Sequence, residues 1–157
     1  MATNEVLEIL DRAKARYELI PHAHTETALD EARELGFSPG EVAKTLVVET
    51  SAGHVRAVIP ASERLDLRKL KSALHVAGKP HLLTEEDLER EYPEFELGSV
   101  APIGGHPDAV VVDVGVARHD EVVIEAGSHA ESMRLRTADL IMVAGATVAD
   151  ISVEHQP

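Results

Sequence analysis

The sequence of 157 residues predicts an α+β fold: a single domain with a mixed, mainly antiparallel sheet, partly barrel-like and flanked by helices. Three observations predict it. β-Branched runs occur as hairpin-like pairs; helical periodicities fall between them without regular β–α alternation; and the length suits one hydrophobic core.

The elements follow in order. Glu5 to Tyr17 carries Val6, Leu7, Leu10, Ala13 and Tyr17 at helical spacing. Glu18 to Ile20 reads as a short strand stopped by Pro21. A helix starts near Thr27 and ends at Gly36, a suitable C-terminal glycine. Ser38-Pro39-Gly40-Glu41 has a capping Ser, Pro at the first helical position and Glu three residues after the cap. Thr45 to Glu49 and His54 to Ile59 are strands around a Ser51-Ala52-Gly53 turn. Leu65 to Leu74 is a helix with Leu67, Leu70 and Leu74 as its apolar stripe and Asp66 as a cap. His81 to Leu83 is a short strand. Thr84-Glu85-Glu86-Asp87 caps a helix that Pro93 ends. Glu96 to Pro107 is a loop. Ala109 to Val114, Glu121 to Glu125 and Ser132 to Arg136 are strands. Thr137 begins a helix stopped by Gly145, and Val148 to Ile151 closes the pattern.

Composition excludes several chemistries. There is no cysteine, so disulfides, thiolate metal sites and cysteine nucleophiles are ruled out. No apolar run approaches membrane-spanning length, and Met1 to Lys14 lacks the pattern of a secretory signal. The expected location is cytoplasmic, with no membrane partner. The net charge of −13 argues against nucleic acid, because phosphate contacts need Lys and Arg. Its distribution matters more. Ser62 to His81 is net +3, through Arg64, Arg68, Lys69, Lys71 and Lys79 against Glu63 and Asp66, whereas Leu82 to Glu96 is net −6. A basic patch on an acidic protein and an ordinary solvated helix face both fit that window.

There is no Walker A loop, G-x-G-x-x-G, H-E-x-x-H or G-x-S-x-G elbow. His22 and His24, two apart, would share a face on a strand, but no third metal ligand is evident, and a polar strand end explains them as well. Lys44 lies between a capped helix and an apolar strand, where burying a cation is costly without an anionic partner. A strand-end Lys whose stem snorkels to water is the plainer reading. In Leu97 to Gly105, glycines allow close backbone approach to a ligand, and backbone N–H groups can hold an oxyanion. An ordinary surface loop would look the same. Ala126-Gly127-Ser128-His129 sits between two strands like a hairpin turn. Its adjacent Ser and His point opposite ways and do not make a catalytic pair.

In order and spacing these segments resemble the YbaK/prolyl-tRNA-synthetase-associated domain family. The pattern runs from Leu35-Gly36 into Val42-Ala43-Lys44-Thr45-Leu46-Val47-Val48. It continues through Val58-Ile59-Pro60, the Leu65-to-Leu70 helix and Gly98-Ser99-Val100-Ala101-Pro102, which fits a G-x-x-x-P loop. Ala126-Gly127-Ser128-His129 and Ala149-Asp150-Ile151 complete it. The resemblance implies hydrolysis of the ester of mischarged tRNA, in trans, for a small amino acid. Lys44 would hold the phosphate or ribose of the acceptor end. Gly98 and its loop would position the carbonyl and the water, and His129 would help orient the ester. His22, His24, Thr45, Ser99, Pro102, Gly127 and Ser128 would line the substrate site. Arg64, Arg68, Lys69 and Lys71 would meet the tRNA backbone. No metal or other cofactor is implied, and DNA is not an expected partner. The acidity leaves room for weak binding, help from a synthetase or elongation factor, or adaptation to high salt.

The reaction needs no nucleophilic triad. An aminoacyl ester beside a vicinal hydroxyl is already activated, so positioning water and that hydroxyl, with help for the oxyanion, can suffice. A small pocket discriminates by excluding larger amino acids. Two rival readings remain: a non-catalytic ligand- or protein-binding module on the same fold, and a metal-dependent hydrolase built on His22 and His24.

Overall fold

A computed structural model of the chain describes residues 4–22 and 28–154. Helix α1 (Asn4–Arg12) buries Val6 and Leu10 and stops earlier than its periodicity predicts. Lys14 adopts a left-handed conformation (φ 58°) and the Ala15 N–H donates back to the Leu10 carbonyl at 3.0 Å. This C-terminal closure frees Tyr17 to open strand β1 (Tyr17–Pro21). Helix α2 (Ala28–Leu35) leads to a short 3-10 turn at Pro39–Glu41, where the Ser38 N–H donates to Glu41 Oε2 at 3.2 Å.

Strands β2 (Ala43–Thr50) and β3 (Gly53–Pro60) form the expected hairpin, pairing Lys44 with Ile59 and Thr45 with Val58. Strand β4 (Glu63–Leu65) precedes helix α3 (Leu67–Leu74), whose cap Asp66 accepts from the backbone N–H groups of Arg68 and Lys69. Strand β5 (His81–Leu82) pairs with β2, and helix α4 (Glu85–Glu91) starts at the Thr84 cap.

Strand β6 (Ala109–Asp113) ends one residue before the predicted limit. Asp113, 2% exposed, accepts from the Gly115 N–H and starts the one-turn helix α5 (Val114–Ala117). Strands β7 (Glu121–Ser128) and β8 (Glu131–Arg136) form a second hairpin, with a register shift between Glu125 and Ser128. Helix α6 (Thr137–Ala144) follows. The closing strand is really two, β9 (Thr147–Ala149) and β10 (Ser152–Glu154). Asp113 causes the break: its second carboxylate oxygen takes the Ile151 N–H at 2.8 Å, pulling the chain out of the sheet.

The strands of the described residues form three sheets, ordered β1-β8-β7, β5-β2-β3-β6-β9 and β10-β4. Antiparallel pairs predominate, but β3–β6 and β6–β9 are parallel, so the sheet is mixed as predicted. Among the described residues the strands do not close into a barrel, and the partly barrel-like expectation does not require closure. One parallel bridge, Val42 to Val123, joins the three- and five-stranded sheets.

The main core lies between those two sheets, with Ala43, Val47, Val58 and Val112 facing Val122, Ile124, Met133 and Leu135. On the other face of the five-stranded sheet, α3 packs Leu70 against Val48, Ala57 and Ile59. A small cluster of Ala32, Val42, Ala61 and Val123 fills the seam between the sheets. None of the described helices is long and apolar enough to cross a membrane.

Candidate active site at the junction of two sheets

Strand alternation decides which side chains can meet. On β2, Ala43 and Val47 face the main core, so Lys44 shares the opposite face with Val42 and Leu46. The same alternation on β7 turns Val122, Ile124 and Ala126 into the core and leaves Val123 and Glu125 on the other face. The Val42–Val123 bridge makes these two outer faces continuous. Two residues beyond it in the same direction stand Lys44 on one strand and Glu125 on the other.

Glu125 sits directly opposite Ser132 on β8, and Ser132 opposite Ile20 on β1. Directly opposed residues share a face. His22, just past β1, places its Nε2 2.7 Å from Ser132 Oγ, and its N–H donates to the Ala130 carbonyl at 3.0 Å. Lys44, Glu125, Ser132 and His22 therefore line one surface across the joined sheets. His24 lies outside the described residues.

Lys44 is half-buried, and desolvation pushes its ammonium pKa below the ordinary lysine value. Among the described residues, no hydrogen bond or ion pair reaches that ammonium. Thr45 points the other way, toward the main core beside Val58.

The Gly98 loop and the His129 turn are stitched together. The Glu96 N–H donates to the Gly127 carbonyl, and the His129 N–H donates to Glu96 Oε2, both at 2.9 Å. The imidazole of His129 is held between Ser99 Oγ, 3.0 Å from Nδ1, and the Leu97 carbonyl at Nε2. A carbonyl only accepts, so this arrangement puts a proton on Nε2 and, in the neutral ring, leaves Nδ1 to accept from the Ser99 hydroxyl. Ser99 is fully buried and His129 is 7% exposed. The histidine is thus a fastener of the loop, with its ring nitrogens turned to the protein. Gly98 is exposed, with φ +84°, a conformation that L side chains rarely adopt. Gly127 is also left-handed (φ 100°), and Ser128 Oγ accepts from the Ala130 N–H at 3.1 Å.

Pro102 is buried further along the loop, beside a residue that the sequence reading passed over. Arg56, 1% exposed on β3, donates to the carbonyls of Ala101 (2.9 Å), Gly104 (2.6 Å) and His106 (3.2 Å), and to Asp108 Oδ2 (3.1 Å). Its guanidinium also lies 5.3 Å from the Tyr92 ring centroid. Tyr92 donates to Asp108 at 2.6 Å; burial and this hydrogen bond raise its pKa well above the ordinary phenol value. Arg56, Pro102 and Gly104 to Asp108 line a cavity of about 270 Å³.

The basic window lies at the same end of the β2–β3 hairpin as Lys44, since the Ala61 N–H donates to the Val42 carbonyl just before β4. Arg64, Arg68 and Lys71 are exposed. Lys69 is engaged by Asp150 (3.1 Å) and the Ser152 carbonyl (2.9 Å). Among the described residues, no three His, Cys, Asp or Glu side chains converge in a metal-ligating group.

Residues 22–143 match the family model of the aminoacyl-tRNA editing domain. The chain belongs to that family. An editing domain of this kind is an aminoacyl-tRNA deacylase, an ester hydrolase acting on charged tRNA. Among its relatives is the multifunctional Ser/Thr-tRNA deacylase ProXp-y of Escherichia coli K12, 26% identical over 145 residues, covering 88% of this chain and 86% of that protein. Another is EbsC of Enterococcus faecalis, a proposed Cys-tRNA(Pro)/Cys-tRNA(Cys) deacylase, 26% identical over 156 residues, with coverage of 95% and 93%. A solved structure of a hypothetical protein superposes with a TM-score of 0.86 at 25% identity, covering 96% of this chain and all of that one. A proposed trans-editing enzyme for prolyl-tRNA synthetase shares the fold, with a TM-score of 0.80 at 22% identity and coverage of 99% and 100%. The matched stretch includes His22, Lys44, Gly98 and His129.

Proposed function

We propose that this editing domain removes small amino acids from mischarged tRNA in trans, with Lys44 anchoring the acceptor end. The observation that carries this reading is Lys44 itself. A half-buried ammonium with a lowered pKa and no partner among the described residues is costly to maintain. A terminal phosphate or ribose oxygen supplies the missing partner and favours the charged form. The role is binding and positioning, not proton abstraction.

The exposed backbone of Gly98 faces the ester carbonyl and the attacking water. Its left-handed conformation, together with the Ser99–His129 and Glu96–Gly127 contacts, holds the loop before substrate arrives. Ser99, Ser128, His129 and Pro102 act through the loop and turn, while His22 and Gly127 lie nearest the ester. With the reacting groups held in place, the vicinal ribose hydroxyl and one water complete the hydrolysis. Arg64, Arg68 and Lys71 extend the contact along the tRNA backbone, and Lys69 contributes less because Asp150 already neutralises it. A synthetase that delivers mischarged tRNA is the natural protein partner, and the cytoplasm the natural location.

The test is hydrolysis of tRNAs charged with alanine, serine, cysteine or proline by wild type and Lys44→Ala. The reading expects at least one ester to be cleaved well above the buffer rate, and the variant to lose most of that gain. Hydrolysis no faster than in buffer for every ester overturns it.

A further inference from the structure

Glu125 is a carboxylate 6% exposed, in the apolar run Val122-Val123-Ile124-Glu125-Ala126, and the mechanism above does not use it. It shares a face with Ser132, directly opposite on β8, and through the Val42–Val123 bridge with Lys44. No ion pair joins Lys44 to Glu125. A cation and an anion thus stand on one surface without neutralising each other.

The terminal nucleotide of a charged tRNA has the complementary pattern. Its phosphate is anionic, and the α-amino group of the attached amino acid is cationic. With Lys44 on the phosphate side, the ammonium needs an acceptor on the ester side. Glu125 also interacts within the protein, but an ionised carboxylate offers about four acceptor sites, so it can accept from a ligand as well.

We propose that Glu125 is a specificity residue that receives the α-ammonium group of the aminoacyl ester. This rests on the deacylase reading of the same site. Glu125 makes the site selective for esters of amino acids over esters of hydroxy acids of the same size. The interaction is a charge-assisted hydrogen bond, formed in a site where burial strengthens it.

The test uses the most rapidly cleaved ester of the four-tRNA panel and the same tRNA charged by an acylating ribozyme with the matching oxygen acid (lactate, glycerate, 3-mercaptolactate or, for proline, tetrahydrofuran-2-carboxylate). Each rate is divided by the rate in buffer, since the ammonium also activates the ester chemically. Wild type is expected to favour the aminoacyl ester by about tenfold or more, the size of one charge-assisted hydrogen bond. Glu125→Gln should slow only the aminoacyl ester, mainly through KM, and bring the ratio near one. Glu125→Asp should restore part of the preference. Equal wild-type rates for the two esters overturn the inference, and so does a Glu125→Gln variant that slows both alike while remaining folded by circular dichroism. If Glu125→Gln does not fold, the wild-type ratio and Glu125→Asp decide: a wild-type ratio near one, or an undiminished ratio in Glu125→Asp, overturns it. Failure of wild type to cleave any panel ester overturns the deacylase reading itself, and the inference with it.

Discussion

Arg56→Met replaces a buried guanidinium with an apolar side chain of comparable length, and its cost can be worked from the contacts. The guanidinium donates to three loop carbonyls and to Asp108. Losing it leaves Asp108, whose side chain is 10% exposed, with the Tyr92 hydroxyl but without its cation. Breaking a buried ion pair from one side costs about 3–5 kcal/mol. Against a typical domain stability of about 5–15 kcal/mol, that loss is large. Asp108→Asn removes the charge while keeping an acceptor, so the double variant should cost less than the two single losses added together, by about 1–3 kcal/mol. Urea unfolding followed by far-UV circular dichroism measures all three, at equal m-values. The loop from Ala101 to His106 should loosen with the substitution, lowering kcat for ester cleavage while tRNA binding holds. A loss below about 1 kcal/mol, within the range of an exposed ion pair, would refute the assignment of Arg56 as the anchor of this loop.

Other expectations follow from the same contacts. Lys44 has a pKa lowered by desolvation, so between its folded value and 10.5 the unfolded chain binds more protons. The Lys44 penalty is full below that window and is relieved as pH rises through it. Wild type should gain stability relative to Lys44→Met across the window, measured as the pH dependence of the urea midpoint. Over the same range cleavage above background should fall, whereas Lys44→Arg, which stays charged, should keep it if the residue serves as an anchor. Gly98→Ala places a side chain at φ +84° and should cost about 1–2 kcal/mol, with a matching fall in kcat, read by thermal unfolding and single-turnover cleavage. Charge reversal at Arg68 and Lys71 should weaken tRNA binding and flatten its salt dependence in filter-binding assays, while Lys69→Ala, already paired with Asp150, should change binding little.

Much of the fold is legible because its signals are local. The Asp66 and Thr84 caps mark their helices, and the Ser51-Ala52-Gly53 turn gives the β2–β3 hairpin. What escaped the sequence reading depends on distant partners. Asp113 ends β6 and breaks β9 from β10 through one carboxylate shared between Gly115 and Ile151, thirty-eight residues away. Lys44 and Gly98 stand out as a cation in an apolar segment and a glycine in a stiffened loop. Glu125 gives a similar signal, an acid inside an apolar strand, but only the register against Ser132 and the Val42 bridge reveals which face it occupies. Arg56 also interrupts an apolar run, and its importance appears only when the carbonyls of a loop forty-five or more residues later close around it. Ser128 and His129 are neighbours in the sequence, but on an extended chain they point opposite ways. The imidazole's hydroxyl partner is instead Ser99, thirty residues upstream.

The Val42–Val123 contact has a mechanical consequence. Among the described residues it is a single main-chain bridge, so two separately hydrogen-bonded sheets carry the proposed site, Lys44 on one and Ser132 with Glu125 on the other. Side chains set the width between them: Ala32, Val42, Ala61 and Val123, packed in the seam. Such a joint acts as a spacer whose thickness is written in methyl groups. Trimming Val123 to Ala or enlarging Ala61 would shift one sheet against the other by a fraction of an ångström without touching any reacting group. On the proposed reading, the size of amino acid admitted is therefore adjustable from residues that never meet it.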